Sequence, residues 1–183
     1  MSRLKNRDRW VNVGFELFAS EGPAGIQVER LARILDLNKS GFYHYFGTPE
    51  NYLHVLMRHL LKQSDLVVTD TRKCKIFDPE FLQVMVTHKP TILATVQLAS
   101  NRHISLLNET RLEVTKKIDA ALLPLWAAHI GVANNPGLAL RYFEMIRDMF
   151  FSRVTHETLD YDYLHSLADE ARTIIFDLNR HQV

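Results

Sequence analysis

The chain has one cysteine, Cys74, in 183 residues. A lone thiol excludes an intrachain disulfide framework and a cysteine-rich zinc site. No stretch approaches the roughly 18 uninterrupted apolar residues of a membrane span. No apolar run at the N-terminus resembles a signal peptide; Met1 to Arg9 carries four basic residues and leads into an amphipathic segment. Internal repeats and low-complexity tracts are lacking too. A soluble, cytoplasmic protein with no membrane partner is expected.

What is present is a core. Apolar residues make up 46% of the chain, including ten Phe, six Tyr and two Trp, too many for intrinsic disorder. The net charge is +1 but unevenly spread: residues 1–62 hold nine Lys/Arg against six Asp/Glu, and the remainder thirteen against fifteen. A basic front and a slightly acidic back permit an N-terminus that meets a polyanion.

Helical periodicity dominates, and no alternating strand pattern with hairpin signals stands out. The seven Gly and six Pro fall mostly in breaks at 22–25, 47–49, 78–79, 89–90 and 131–137, with a polar break over 155–160. Between them lie nine helical segments, about 3–20, 28–35, 39–46, 49–72, 79–88, 90–100, 104–130, 137–155 and 160–181. Pro124 removes a backbone donor inside the seventh and is expected to kink it. The fold class is therefore all-α, with three short helices in front of a longer helical part.

The first segment aligns Trp10, Gly14, Leu17 and Phe18 as one stripe, with Arg3, Lys5, Arg7 and Arg9 before or beside it. A mid-helix glycine costs roughly 1 kcal/mol against alanine, so Gly14 implies close approach of a neighbouring helix. The second segment repeats the stripe with Val28, Leu31, Ala32 and Leu35. Asn38 then caps a third, Lys39-Ser40-Gly41-Phe42-Tyr43-His44-Tyr45-Phe46. Phe42 and Phe46 share a face and can be buried against Leu31, Leu35 and Leu37. Lys39, Ser40, Tyr43 and His44 are then left outward, at the helix end that a helix-turn-helix pushes into the major groove. The small residues Ser40 and Gly41 would let the backbone approach DNA closely.

Three blocks, Phe15-Glu-Leu-Phe-Ala-Ser-Glu-Gly22, Val28-Glu-Arg-Leu-Ala32 and Leu37-Asn-Lys-Ser-Gly-Phe-Tyr-His-Tyr-Phe46, resemble in order and spacing the DNA-binding domain of TetR-type transcriptional regulators. The resemblance implies a helix-turn-helix domain over 1–48 and a helical ligand-binding and dimerisation domain over 49–183. It implies contacts to a palindromic double-stranded DNA operator by Lys39, Ser40, Gly41, Tyr43 and His44, with Gln27 and the N-terminal basic residues anchoring the backbone. It also implies repression released by a small-molecule effector. The chain departs from the family pattern at three places. Ile26-Gln27 stands where Thr or Ser usually opens the second helix, and Asp36 where glycine usually precedes the recognition turn. Thr48-Pro49-Glu50 replaces the usual Ser-Lys-Glu.

In the longer part, Met85, Trp126, Phe143 and Phe150 are candidates to line an effector cavity, with Phe81, Tyr142 and Met149 as further possibilities. No basic cluster there suggests a strongly anionic ligand. The last two helices are apolar over more than one face, through Leu138, Tyr142, Phe143, Met145, Ile146, Met149, Phe150, Phe151 and Val154, then Leu164, Leu167, Ala168, Ala171, Ile174, Ile175 and Leu178. A two-fold interface over about 137–181 would cover the second face. Ordinary packing within the chain is the competing account. The histidines do not pattern as ligands: His54 and His59 share no face, and Asp162/His165 is a single pair where a di-metal bundle needs two. No catalytic residue, metal or cofactor is expected. The alternatives left open are a helical protein of this fold without DNA binding and a helical-bundle metal enzyme that enlists Glu109/Glu113 and Glu144/Asp148.

Overall fold

The computed structural model describes residues 2–180, and side chains over 5–177; Arg3 and Leu178, singled out above, have side chains outside the described residues. Among the described residues nine α-helices follow one another: α1 (Ser2–Glu21), α2 (Val28–Leu35), α3 (Lys39–Phe46), α4 (Pro49–Thr71), α5 (Leu82–Thr87), α6 (Lys89–Ser100), α7 (Ser105–His129), α8 (Pro136–Arg153) and α9 (Tyr161–Arg180). Among the described residues there is no strand. The residues gather into two compact units, one reaching to Ser64 and including Pro90–Val114, the other comprising Asp65–Lys89 and the chain from Thr115 onward.

In the first unit, local chemistry sets the helix ends. The chain leaves α1 at Gly22 with φ of +67°, and a Cβ there would lie 2.6 Å from Gln97 Oε1 of α6. The positive φ favours glycine there, and any Cβ would also have to displace the end of the Gln97 side chain. Helix α2 buries Val28, Leu31, Ala32 and Leu35, the spacing of a single helical face. It ends at Asp36 in the left-handed region, φ 52° and ψ 50°, and Arg9 Nη2 donates to the last carbonyl, that of Leu35, at 2.9 Å. The Asn38 side chain opens α3 by accepting from Ser40 N at 2.9 Å, and Gly47, φ +74°, closes it. Thr48 Oγ1 accepts from Asn51 N at 3.2 Å, which starts α4 directly ahead of Pro49.

The core of this unit is aromatic. Trp10, Phe18, Phe42 and Tyr52 are fully buried, joined by Leu31, Leu56 and Leu60. Each such side chain contributes about 1.5–3 kcal/mol through burial, which is what holds three short helices in a fixed arrangement.

In the second unit the expected helix over 79–88 begins later. Phe77–Phe81 forms a wide helical turn in which Asp78 is extended (φ −118°, ψ 125°), so regular α-helix starts only at Leu82. The extended residue has a use: Asp78 accepts from Tyr161 Oη at 2.8 Å and pairs with His165 Nδ1 at 2.6 Å, tying the turn to α9. Helix α7 runs on through Pro124. Helix α8 starts with Asn135 accepting from Leu138 N at 3.1 Å, and Asp160 Oδ1 caps α9 by accepting from Tyr163 N at 2.8 Å. Arg147 pairs with Asp119 between α8 and α7 while lying 5.6 Å over the Phe143 ring. No helix among the described residues is long and apolar enough to cross a membrane.

Candidate nucleic-acid interface

Two residues decide which way α3 faces. Phe42 is fully buried and Phe46 is 5% exposed. Phe42 meets the Trp10 ring at 5.4 Å, Phe46 at 5.1 Å and Tyr52 at 4.9 Å, mostly edge to face, the geometry that aromatic quadrupoles favour. Leu31 and Leu35 lie in the same core, whereas Leu37 is only half-buried. The partners that matter most are thus Trp10 of α1 and Tyr52 of α4, neither of which follows from the α2 and α3 pattern.

With that face inward, Lys39, Ser40, Tyr43 and His44 are exposed, Tyr43 to 48%. Gly41 is half-buried, yet a Cβ built there would meet nothing within 4 Å. Packing within the chain therefore gives no reason for glycine at this position, in contrast to Gly14. A Cβ at Gly14 would fall 1.8 Å from Tyr52 Oη, whose hydroxyl donates to the Trp10 carbonyl at 2.5 Å. That is the close helix approach that a mid-helix glycine calls for.

The cations around this edge are not all free. Lys39 Nζ donates to Glu29 Oε1 at 2.9 Å across the α2–α3 turn, and both side chains are largely exposed. The bond holds the Glu29 carboxyl below, and the Lys39 ammonium above, their ordinary ranges. Among the N-terminal basic residues, Arg9 is engaged with Leu35, Arg7 lies 5.7 Å over the Phe46 ring, and Lys5 is exposed. Gln27 precedes α2 without capping it; its side chain donates to Ala24 O at 3.4 Å.

The candidate effector residues lie in the second unit, all buried: Met85 in α5, Trp126 in α7, Phe143 and Phe150 in α8. Trp126 packs on Phe77 and His129, while Phe150 packs on Phe151. On the two last helices, Leu140, Met145, Ile174 and Phe176 are 42–60% exposed, so apolar surface remains there after this chain has packed. Among the described residues no three His, Cys, Asp or Glu side chains are grouped as metal ligands would be. Two features escaped sequence reasoning: Glu29 as the partner of Lys39, and His129, which no spacing argument singled out.

The sequence matches no known family profile and no curated protein. Among solved structures it is similar to a transcriptional regulator (TerR/AcrR family) from Aquifex aeolicus VF5, at 17% identity and a TM-score of 0.60, over 93% of this chain and 98% of that one. At that identity the likeness concerns backbone arrangement: the chain has the all-helical fold of that regulator.

Proposed function

We propose that the protein is a TetR-type, sequence-specific DNA-binding transcriptional regulator, a repressor that a small-molecule effector releases from its operator. Residues 1–48 read the DNA, and 49–183 bind the effector and dimerise through about 137–181. Two reading heads related by a two-fold axis engage successive major grooves of a palindrome. Lys39, Ser40, Gly41, Tyr43 and His44 supply the contacts, Gln27 and the N-terminal cations anchor the backbone, and Met85, Trp126, Phe143 and Phe150 belong to the effector site.

One observation carries this reading. The exposed edge of α3 is rich in donors and is locked outward by two buried phenylalanines, and it contains a glycine that internal packing does not need. A helix face of that kind suits close approach to a polyanion. The apolar surface left on α8 and α9 supports self-association, because an isologous interface covers identical patches on two copies.

Selection of bound sequences from a random duplex pool by the full-length protein tests the reading. Recovery of a palindrome with two half-sites about one helical turn apart is the expected result. Recovery of no sequence even at low salt would assign the fold a role without DNA.

A further inference from the structure

Three buried side-chain atoms among the described residues have no hydrogen-bond partner: Trp10 Nε1, Trp126 Nε1 and His129 Nε2. The first belongs to the reading head and has no second such atom beside it. The other two are neighbours. Trp126 and His129 are one turn apart on α7, their ring centroids 6.0 Å apart and their planes tilted by 36°. Phe77 packs against both, edge-on to Trp126 at 5.4 Å and tilted over His129 at 4.8 Å, with Phe81 next to it at 5.2 Å.

An unpaired buried donor or acceptor costs about 1–3 kcal/mol. Phenylalanine at either position would fill similar space without that cost, so two unpaired nitrogens in one aromatic cluster point to something that pairs with them. Their requirements differ. The indole N–H can only donate. His129 is held below the ordinary imidazole range, by burial first and then by the charge of Arg172, while the Ala168 carbonyl acts in the opposite direction. In a neutral ring one nitrogen carries the proton and the other a lone pair, so with the proton on Nδ1 the unpartnered Nε2 is an acceptor. The pair therefore offers one donor and one acceptor. The charged groups nearby are already engaged: Asp78 with Tyr161 and His165, and Arg172 with Asp169.

We propose that Trp126 Nε1–H and His129 Nε2 form the polar end of a binding site for a neutral, hydroxyl-bearing apolar molecule of the phenol or alcohol class, with Phe77 as its apolar wall. The hydroxyl oxygen accepts from Trp126, and its proton is donated to His129. A carboxylate has no proton to give His129, an ammonium cannot accept from Trp126, and an ether or ketone satisfies only the indole. That such a molecule acts as the effector rests on the regulator reading above; its binding does not.

The test uses the full chain, labelled with 15N at tryptophan, without DNA. Its two indole signals are assigned by whichever single Trp→Phe variant folds. The protein is titrated with p-cresol, with toluene as the same shape lacking the hydroxyl, and with benzoate as the anion. The expected result is a saturable shift of the Trp126 indole proton with p-cresol, at least about tenfold tighter than toluene, and no response to benzoate. H129F is expected to bring the p-cresol and toluene affinities to near equality. Should H129F fail to fold, the three-probe comparison on the unmodified chain decides alone. An indole signal indifferent to all three probes, as a permanently bound water would leave it, overturns the proposal, as does equal response to p-cresol and toluene. Failure here alongside a recovered palindrome removes only this site; success here with no DNA selected removes the regulator reading and leaves the site.

Discussion

The Tyr52 hydroxyl donates to the carbonyl of Trp10 at 2.5 Å, through space that exists only because residue 14 has no side chain. Burial pushes the Tyr52 phenol well above its ordinary pKa, as expected of a hydroxyl with no route to water. This contact joins α4 to α1 and forms the floor on which Phe42 rests.

Gly14→Ala is therefore expected to destabilise the protein although alanine favours helix. The new methyl must displace a buried, hydrogen-bonded ring, for a loss of about 2–3 kcal/mol. Urea denaturation measures it, and an unchanged midpoint would show that α4 does not need this approach.

Asp36→Gly should act in the opposite direction. Asp36 holds φ of 52°, a conformation that disfavours a Cβ, though aspartate tolerates it better than most residues. A gain of about 0.5–1 kcal/mol is expected, after the extra freedom glycine has in the unfolded chain is counted. The same denaturation experiment reads it, and a loss of stability would mean that the Asp36 carboxylate has a role in the turn.

Gly41→Ala separates packing from recognition. The added methyl meets open space within the chain, so stability should hold or rise by up to roughly 1 kcal/mol. Affinity for the selected operator should nonetheless fall at least about tenfold, because the methyl lies where the helix backbone would meet DNA. Unchanged affinity would remove Gly41 from the contact surface.

In the proposed interface Glu29 would compete with phosphate for Lys39, to which it is bonded in the free protein. Being exposed, the pair contributes little to stability, so Glu29→Gln should leave the fold unaffected and raise operator affinity severalfold. Lys39→Ala should lower the log–log salt slope by about one unit per protomer. Fluorescence anisotropy across a salt series checks both, and a slope equal to that of the unmodified protein would exclude a Lys39–phosphate contact.

Stability should weaken in mild acid. His59, against Phe15 at 4.9 Å, and His129, against Phe77, are both held below the ordinary value of 6.5, by burial first and then by Lys62 and Arg172 respectively. A histidine with a lowered folded pKa takes up its proton more readily in the unfolded chain. Its stabilising effect is complete above the unfolded value and is lost as pH falls through the folded one. Urea midpoints should hold steady above about pH 7 and decline below about pH 6.5, and His59→Gln should flatten the decline. A profile level from neutrality to about pH 5 would contradict this.

The sequence alone determined most features that depend on neighbours within about one helical turn, the start of α5 at Leu82 being an exception. The nine helices among the described residues, the Asn38 cap, the Gly47 and Pro49 boundary and the outward edge opposite Phe42 and Phe46 were legible, because caps, breakers and periodicity act locally. Tertiary structure alone decided what each helix rests on. That Trp10 meets Tyr52, that Arg9 caps α2, that Glu29 holds Lys39, that α6 packs beside Gly22, and that Trp126 and His129 share Phe77 with unpaired nitrogens all join residues from different helices. No spacing rule reaches across a chain reversal, because a helix's own period specifies which face is buried but carries no information about which surface covers it.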